Sequence, residues 1–131
     1  MFSHDPIEWP EEVEILVDRL ERESAERALT RAERALMDVY ETVAVIESED
    51  GLHEFWQSSV DHQRIISSFD LIGASAMVDP INASRWCETR SKDRDDYSET
   101  EAEYLATIEE DLPAALDELV DLVMEFIEEE V

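Results

Sequence analysis

Two glycines, Gly51 and Gly73, are all that 131 residues offer for backbone turns that need positive φ. Glycine takes that conformation without steric cost, and sheet proteins use it at hairpins and corners. A chain this poor in glycine closes few hairpins, and its abundant Glu, Leu and Ala favour helix instead. Apolar residues recur at three and four rather than at two, and no alternating stretch of useful length or internal repeat appears. The expectation is an all-α fold: one domain spanning 1–131, a bundle of about five to seven helices. The same scarcity excludes Gly-rich phosphate loops of the G-x-G-x-x-G or P-loop kind.

The helices can be placed from their ends. Pro10 reads as the first residue of a helix with Glu11 and Glu12 in its first turn and Val13, Leu16, Val17 and Leu20 inward. Thr30-Arg31-Ala32-Glu33 reads as a capping box opening a helix to about Ile46, with Ala32, Leu36, Val39, Val43 and Ile46 inward and Ala35, Tyr40 and Ala44 widening that face. Ser48-Glu49-Asp50-Gly51 breaks it, and a short helix from Leu52 to Gln57 carries Phe55 and Trp56. A long helix is expected from about Asp61 to Val78, with Ile65, Phe69, Ile72 and Ala76 on one face and Ile66, Gly73 and Met77 beside them. Gly73-Ala74-Ser75-Ala76 would allow another helix to approach closely. Asp79-Pro80 reads as a cap and first-turn proline for a helix through Trp86, followed by a polar loop from Glu88 to Tyr97. Ser98-Glu99-Thr100-Glu101 is a second capping box, with Tyr104, Leu105 and Ile108 inward. Pro113 interrupts or restarts the chain before a last helix, Ala114 to about Glu129, burying Leu116, Leu119, Val120, Val123, Phe126 and Ile127. Phe55, Trp56, Phe69, Ile72, Leu119 and Phe126 are expected in one core.

Charge narrows the function. Acids number 36 and Lys plus Arg 10, a formal −26, while 44% hydrophobic residues keep the chain within globular composition. Such a surface repels phosphate backbones and anionic lipid, which argues against direct nucleic-acid or membrane binding. No apolar run approaches the roughly 20 residues of a membrane span, and Met1 to Pro6 does not read as a signal peptide. One cysteine, Cys87, fits a cytoplasmic setting and reads as a packed thiol. Nine of the ten bases are Arg, a bias expected of a salt-accumulating, halophilic cytoplasm.

The acid is unevenly placed. From Asp95 to Val131 there are 15 acids and no base, whereas residues 1–94 hold 21 acids and all 10 bases. On the last helix Asp117, Asp121, Glu125 and Glu128 follow i, i+4, i+8, i+11 and form one stripe, which Glu118 and Glu129 widen. Glu99, Glu103, Glu110 and Asp111 precede it. Salt adaptation alone would spread acid evenly, so this segment is the candidate partner-binding surface. Regular rows of carboxylate on rigid helices can imitate phosphate to a protein that binds nucleic acid.

Four segments, in order, carry a resemblance. Leu29-Thr30-Arg31-Ala32-Glu33-Arg34-Ala35-Leu36 resembles a Leu-Thr-x-x-Glu helix opening. Gly51-Leu52-His53-Glu54-Phe55-Trp56-Gln57-Ser58-Ser59 is similar to an Asn-Gly-Gly-Phe-x-Gln-Phe-Phe segment. Ile72-Gly73-Ala74 resembles a central Ile-Gly-Ala. Tyr104-Leu105 through Leu112, Leu116, Phe126 and Ile127 resembles a terminal Tyr-x-Leu-x-x-Asp-Leu helical pair. Together they cover about 29–128 and resemble the small acidic all-helical DNA-mimic proteins, typified by a neisserial member that blocks a transcriptional repressor. The Asn-Gly-Gly turn of that family is here Glu49-Asp50-Gly51, and Leu52 and Trp56 stand where it has Phe. The resemblance implies a partner that is a basic, DNA-binding transcription factor.

No catalytic constellation is expected, and no metal or cofactor. His4, His53 and His62 lack metal spacing and read as surface or cap residues. Asp93, Asp95 and Asp96 resemble an EF-hand start, but Ser98 holds the place of the central Gly and Tyr104 that of the closing Glu. Glu109, Glu110 and Asp111 read as exposed acids at a helix end. The expected function is a non-catalytic acidic binding module with no enzyme activity. The rivals are an immunity or antitoxin-like neutraliser of a basic toxin, and a salt-adapted domain whose acidity serves only solubility. A homodimer is compatible with the sequence.

Overall fold

The computed structural model describes residues 7–48, 50–90 and 93–131. The opening segment with His4, and the positions of Glu49 and Lys92, lie outside the described residues. Seven α-helices and no strand occur among those described, as expected of the all-α class.

Helix α1 (Glu11–Glu23) follows Pro10, which at φ −55° and ψ 147° is its extended cap rather than its first helical residue. Val13, Val17 and Leu20 are buried. Helix α2 (Arg31–Ile46) opens on the expected capping box. The Thr30 hydroxyl accepts from the Glu33 amide at 3.2 Å, and the Glu33 carboxylate accepts from the Thr30 amide at 2.9 Å. Ala44 is exposed, so the buried face is narrower than its composition predicts. Gly51, at φ 57° and ψ −130°, turns the chain into α3 (Leu52–Gln57) in a conformation that side-chain-bearing residues avoid.

The long helix predicted over 61–78 is two helices. Helix α4 (His62–Ile72) starts at Asp61, whose carboxylate accepts from the Arg64 amide at 3.1 Å. It stops at Gly73, which is left-handed at φ 88°. The Ala74 amide donates to the Phe69 carbonyl at 2.9 Å and the Gly73 amide to that of Asp70 at 3.0 Å, closing a Schellman turn. A Cβ built at Gly73 would meet nothing within 4 Å, so this glycine serves the backbone turn and not the close helix approach inferred from its small neighbours. Helix α5 (Ser75–Ala83) therefore begins before Asp79, and Pro80 lies inside it rather than in its first turn. It ends before Trp86, which belongs to a 3₁₀ turn, Arg85–Thr89. A second 3₁₀ turn, Arg94–Asp96, interrupts what reads in sequence as a polar loop.

Helix α6 (Glu99–Glu109) opens on the second capping box, Ser98 with Glu101, at 3.1 Å in both directions. Tyr104, expected inward, is 55% exposed because the adjacent Leu105 takes the buried position. Helix α7 (Leu112–Glu130) restarts with Pro113 in its first turn, two residues earlier than predicted. Its inner face buries Leu116, Leu119, Val123 and Phe126, while Val120 and Ile127 are half-buried. Helix α2 packs on α4 and α3, α1 lies along α2, and α7 crosses α5, α4 and α6. The six residues expected in one core are there together.

Polar groups stitch the bundle where the apolar faces end. Asp38, buried on α2, accepts two bonds from Arg64 of α4, at 3.0 and 3.2 Å, and one from Ser68 at 2.8 Å. Trp56 donates through Nε1 to the Ser84 hydroxyl at 2.8 Å. His53, expected at the surface, is fully buried and meets the Tyr97 hydroxyl through Nδ1 at 2.5 Å. Burial raises the Tyr97 hydroxyl above its ordinary range, as it does the buried Cys87 thiol.

Candidate functional site on the C-terminal helices

Helix α7 is amphipathic with opposite faces of opposite kind. At 100° per residue, Asp117, Asp121, Glu125 and Glu128 fall within about 80° of one another. Their mean direction lies about 175° from that of the buried Leu112, Ala115, Leu116, Leu119, Val123 and Phe126. The acid row is thus fixed by the apolar stripe that anchors the helix. Repulsion between acids at i, i+3 and i+4 costs roughly 0.2–0.5 kcal/mol per pair. Each large apolar side chain buried beneath contributes about 1.5–3 kcal/mol, so packing wins and the row persists.

All ten acids expected at the site are exposed: Glu99, Glu103, Glu110, Asp111, Asp117, Glu118, Asp121, Glu125, Glu128 and Glu129. None of them forms an ion pair among the described residues. On α6 the positions of Glu99, Glu103 and Glu110 are i, i+4 and i+11, again one side of a helix. Six carboxylates from Asp117 to Glu129 span about 18 Å of axis, one per about 3.6 Å. A single DNA strand carries one phosphate per about 3.4 Å of helix axis. The row of Asp117, Asp121, Glu125 and Glu128 alone has one carboxylate per about 5.5 Å, and only with the flanking Glu118 and Glu129 does the charge per length of the helix approach that of a strand.

Two acids of the base-free segment are withdrawn from this surface. Glu101 pairs with Arg90 at 2.8 Å, and its carboxyl is lowered, first by the Ser98 amide and then by Arg90. Glu109, expected exposed beside Glu110 and Asp111, is 5% exposed. Arg94 reaches it with Nη2 at 2.5 Å and Nη1 at 3.2 Å, and the Leu52 amide donates to it at 3.2 Å. Arg94 also donates to the Asp50 carbonyl at 2.7 Å, so one buried pair ties the end of α6 to the start of α3. Sequence carries no sign of it: Arg94 sits among Asp93, Asp95 and Asp96, and its partner is 15 positions away.

A cavity of mixed apolar and acidic lining lies beside the acids. Of about 190 Å³, it lies between the end of α4 and α7, floored by Leu71, Ile72, Leu122 and Phe126 and rimmed by Glu125 and Glu129. Leu71 is 41% exposed. It falls outside the inward positions assigned to its helix, which was the available signal. No group of three His, Cys, Asp or Glu side chains among the described residues is arranged to hold a metal ion. Nor is any described helix long and apolar enough to cross a membrane.

The described residues form an all-helical protein whose last two helices expose ten carboxylates without an ion pair among the described residues. Comparison with protein-family models, with curated proteins and with solved structures found no match.

Proposed function

We propose that the protein is a non-catalytic acidic binding module, a DNA mimic that presents the carboxylate rows of α6 and α7 to a basic, DNA-binding protein in the cytoplasm. The observation that carries this reading is the exposed α7 row, without an ion pair among the described residues, which together with Glu118 and Glu129 carries about one charge per 3.6 Å of axis. Arginine recognises carboxylate and phosphate with the same planar fork, so a phosphate-reading surface can accept the row in place of DNA. The sequence resemblance to acidic DNA-mimic proteins supports the same partner class. The Leu71–Leu122 cavity adds apolar contact beside the charge. That contact matters in concentrated salt, where a screening length near 3 Å leaves only close contacts effective.

The test is capture from native lysate at low and molar salt, using the parent protein and a variant with Asp117→Asn, Asp121→Asn, Glu125→Gln and Glu128→Gln. The reading expects a basic nucleic-acid-binding protein on the parent and none on the variant. Equal capture by both assigns the acidity to solvation. Capture of a basic toxin in place of a DNA-binding protein favours the neutraliser reading instead.

A further inference from the structure

Arg19, Arg22, Arg27, Arg64, Arg90 and Arg94 each lie within 4.0 Å of a carboxylate. Arg85 donates to Asn82 and stacks over Trp56. Arg31 and Arg34 make no side-chain hydrogen bond and no ion pair within 4.0 Å among the described residues, although Arg34 interacts electrostatically with Glu41, in a chain whose acids outnumber its bases 36 to 10. Both line one cavity of about 300 Å³ between α2 and α4. Arg64 and Ser67 stand on its α4 side, with Ala35 and Leu71 as apolar lining.

Positive charge predominates there. Arg64 spends Nε and one terminal nitrogen on Asp38, and Ser68 donates to that same carboxylate. Its Nη1 makes no hydrogen bond among the described residues. Glu41 lines the neighbouring cavity beyond Asp38 and interacts electrostatically with Arg34 and Arg64. Three guanidinium groups less the carboxylates of Asp38 and Glu41 leave a net charge of about +1 there. A phosphate monoester carries about −1.5 to −2 at neutral pH, with three acceptor oxygens. The volume stands at the lower end of small-molecule sites, roughly 300–1,000 Å³. The protein's overall charge opposes any anion, but beyond a screening length of about 8 Å at physiological salt that opposition fades, and the guanidinium groups act at contact.

We propose that this pocket binds a small phosphate monoester, its phosphate held by Arg31, Arg34 and Nη1 of Arg64, its apolar body against Ala35 and Leu71. The proposal is independent of the acidic rows on α6 and α7. Calorimetric titration at constant ionic strength tests it, with phenyl phosphate, inorganic phosphate and benzoate as probes. Phenyl phosphate is expected to saturate at one site and to bind more tightly than either of the others. The double variant R31Q/R34Q, changed at two exposed positions and checked for native helicity, is expected to bind at least about tenfold more weakly. R19Q, which removes one equal charge elsewhere, is expected to bind as the parent does. Equal binding by R31Q/R34Q and the parent overturns the site. A non-saturating response matched by KCl overturns it also, and benzoate binding as tightly as phenyl phosphate overturns the phosphate assignment.

Discussion

Replacing Arg94 by Met keeps its aliphatic volume and removes the guanidinium that neutralises Glu109. Both side chains are nearly closed to solvent, at 8% and 5% exposure. What remains for the carboxylate is the Leu52 amide at 3.2 Å, one donor in place of three contacts. The Asp50 carbonyl loses its donor as well. An uncompensated buried charge costs about 3–5 kcal/mol. With unfolding entropy near 2.1 cal/mol/K per residue, that lowers Tm by roughly 10–20 °C in a chain this long. Urea unfolding followed by circular dichroism measures the change at fixed slope. The double variant R94M/E109L, apolar at both places, should recover most of the loss. The pair of Arg27 with Glu33, whose guanidinium is open to solvent, provides the contrast: R27Q should move the midpoint less. A loss below about 1 kcal/mol in R94M, or no recovery in the double variant, would refute the view that this pair sits in a low-dielectric joint.

Three further outcomes follow from local structure. Gly73→Ala should cost about 1 kcal/mol by thermal melting, wholly from the backbone, since a Cβ there meets open space; a neutral result would mean that the Schellman turn relaxes. The Glu33 carboxyl is lowered from 4.5 to about 2, first by Arg27 and then by the Thr30 amide. Its contribution is therefore complete above pH 4.5 and is lost as pH falls towards 2, so Glu33→Gln should flatten that part of the acid-unfolding curve and leave it unflattened if the pairing is absent. Melting temperature should rise from low to molar KCl, because screening relieves self-repulsion at −26; a flat or falling curve would contradict this.

What was legible in the sequence was local. Both capping boxes, Thr30 with Glu33 and Ser98 with Glu101, lie within four residues and formed as read. The acid row of α7 was legible because an exposed row is the antiphase of a buried stripe, and both share one period. Gly73 shows where locality fails. A small residue inside an apolar helix and a left-handed cap have the same letter, and the apolar pattern runs on through α5 as if nothing had turned. Pro80 follows from the same ambiguity: with the start of α5 at Ser75 hidden in the apolar pattern, Asp79-Pro80 reads as a beginning although Pro80 lies inside the helix. His53, Arg94 and Glu109 were unreadable for another reason. Their burial is decided by partners 44 and 15 positions away, and no periodicity records such distances.

The central claim is that the α7 carboxylates stand in for phosphates. Its most direct measurement is displacement of a labelled DNA duplex from the captured partner, titrated with the parent protein and with the variant neutralised at Asp117, Asp121, Glu125 and Glu128. The account predicts that the parent releases the duplex in a saturable, salt-sensitive manner and that the folded variant does not. Equal release by both proteins, or binding of the parent alongside DNA without release, would contradict it.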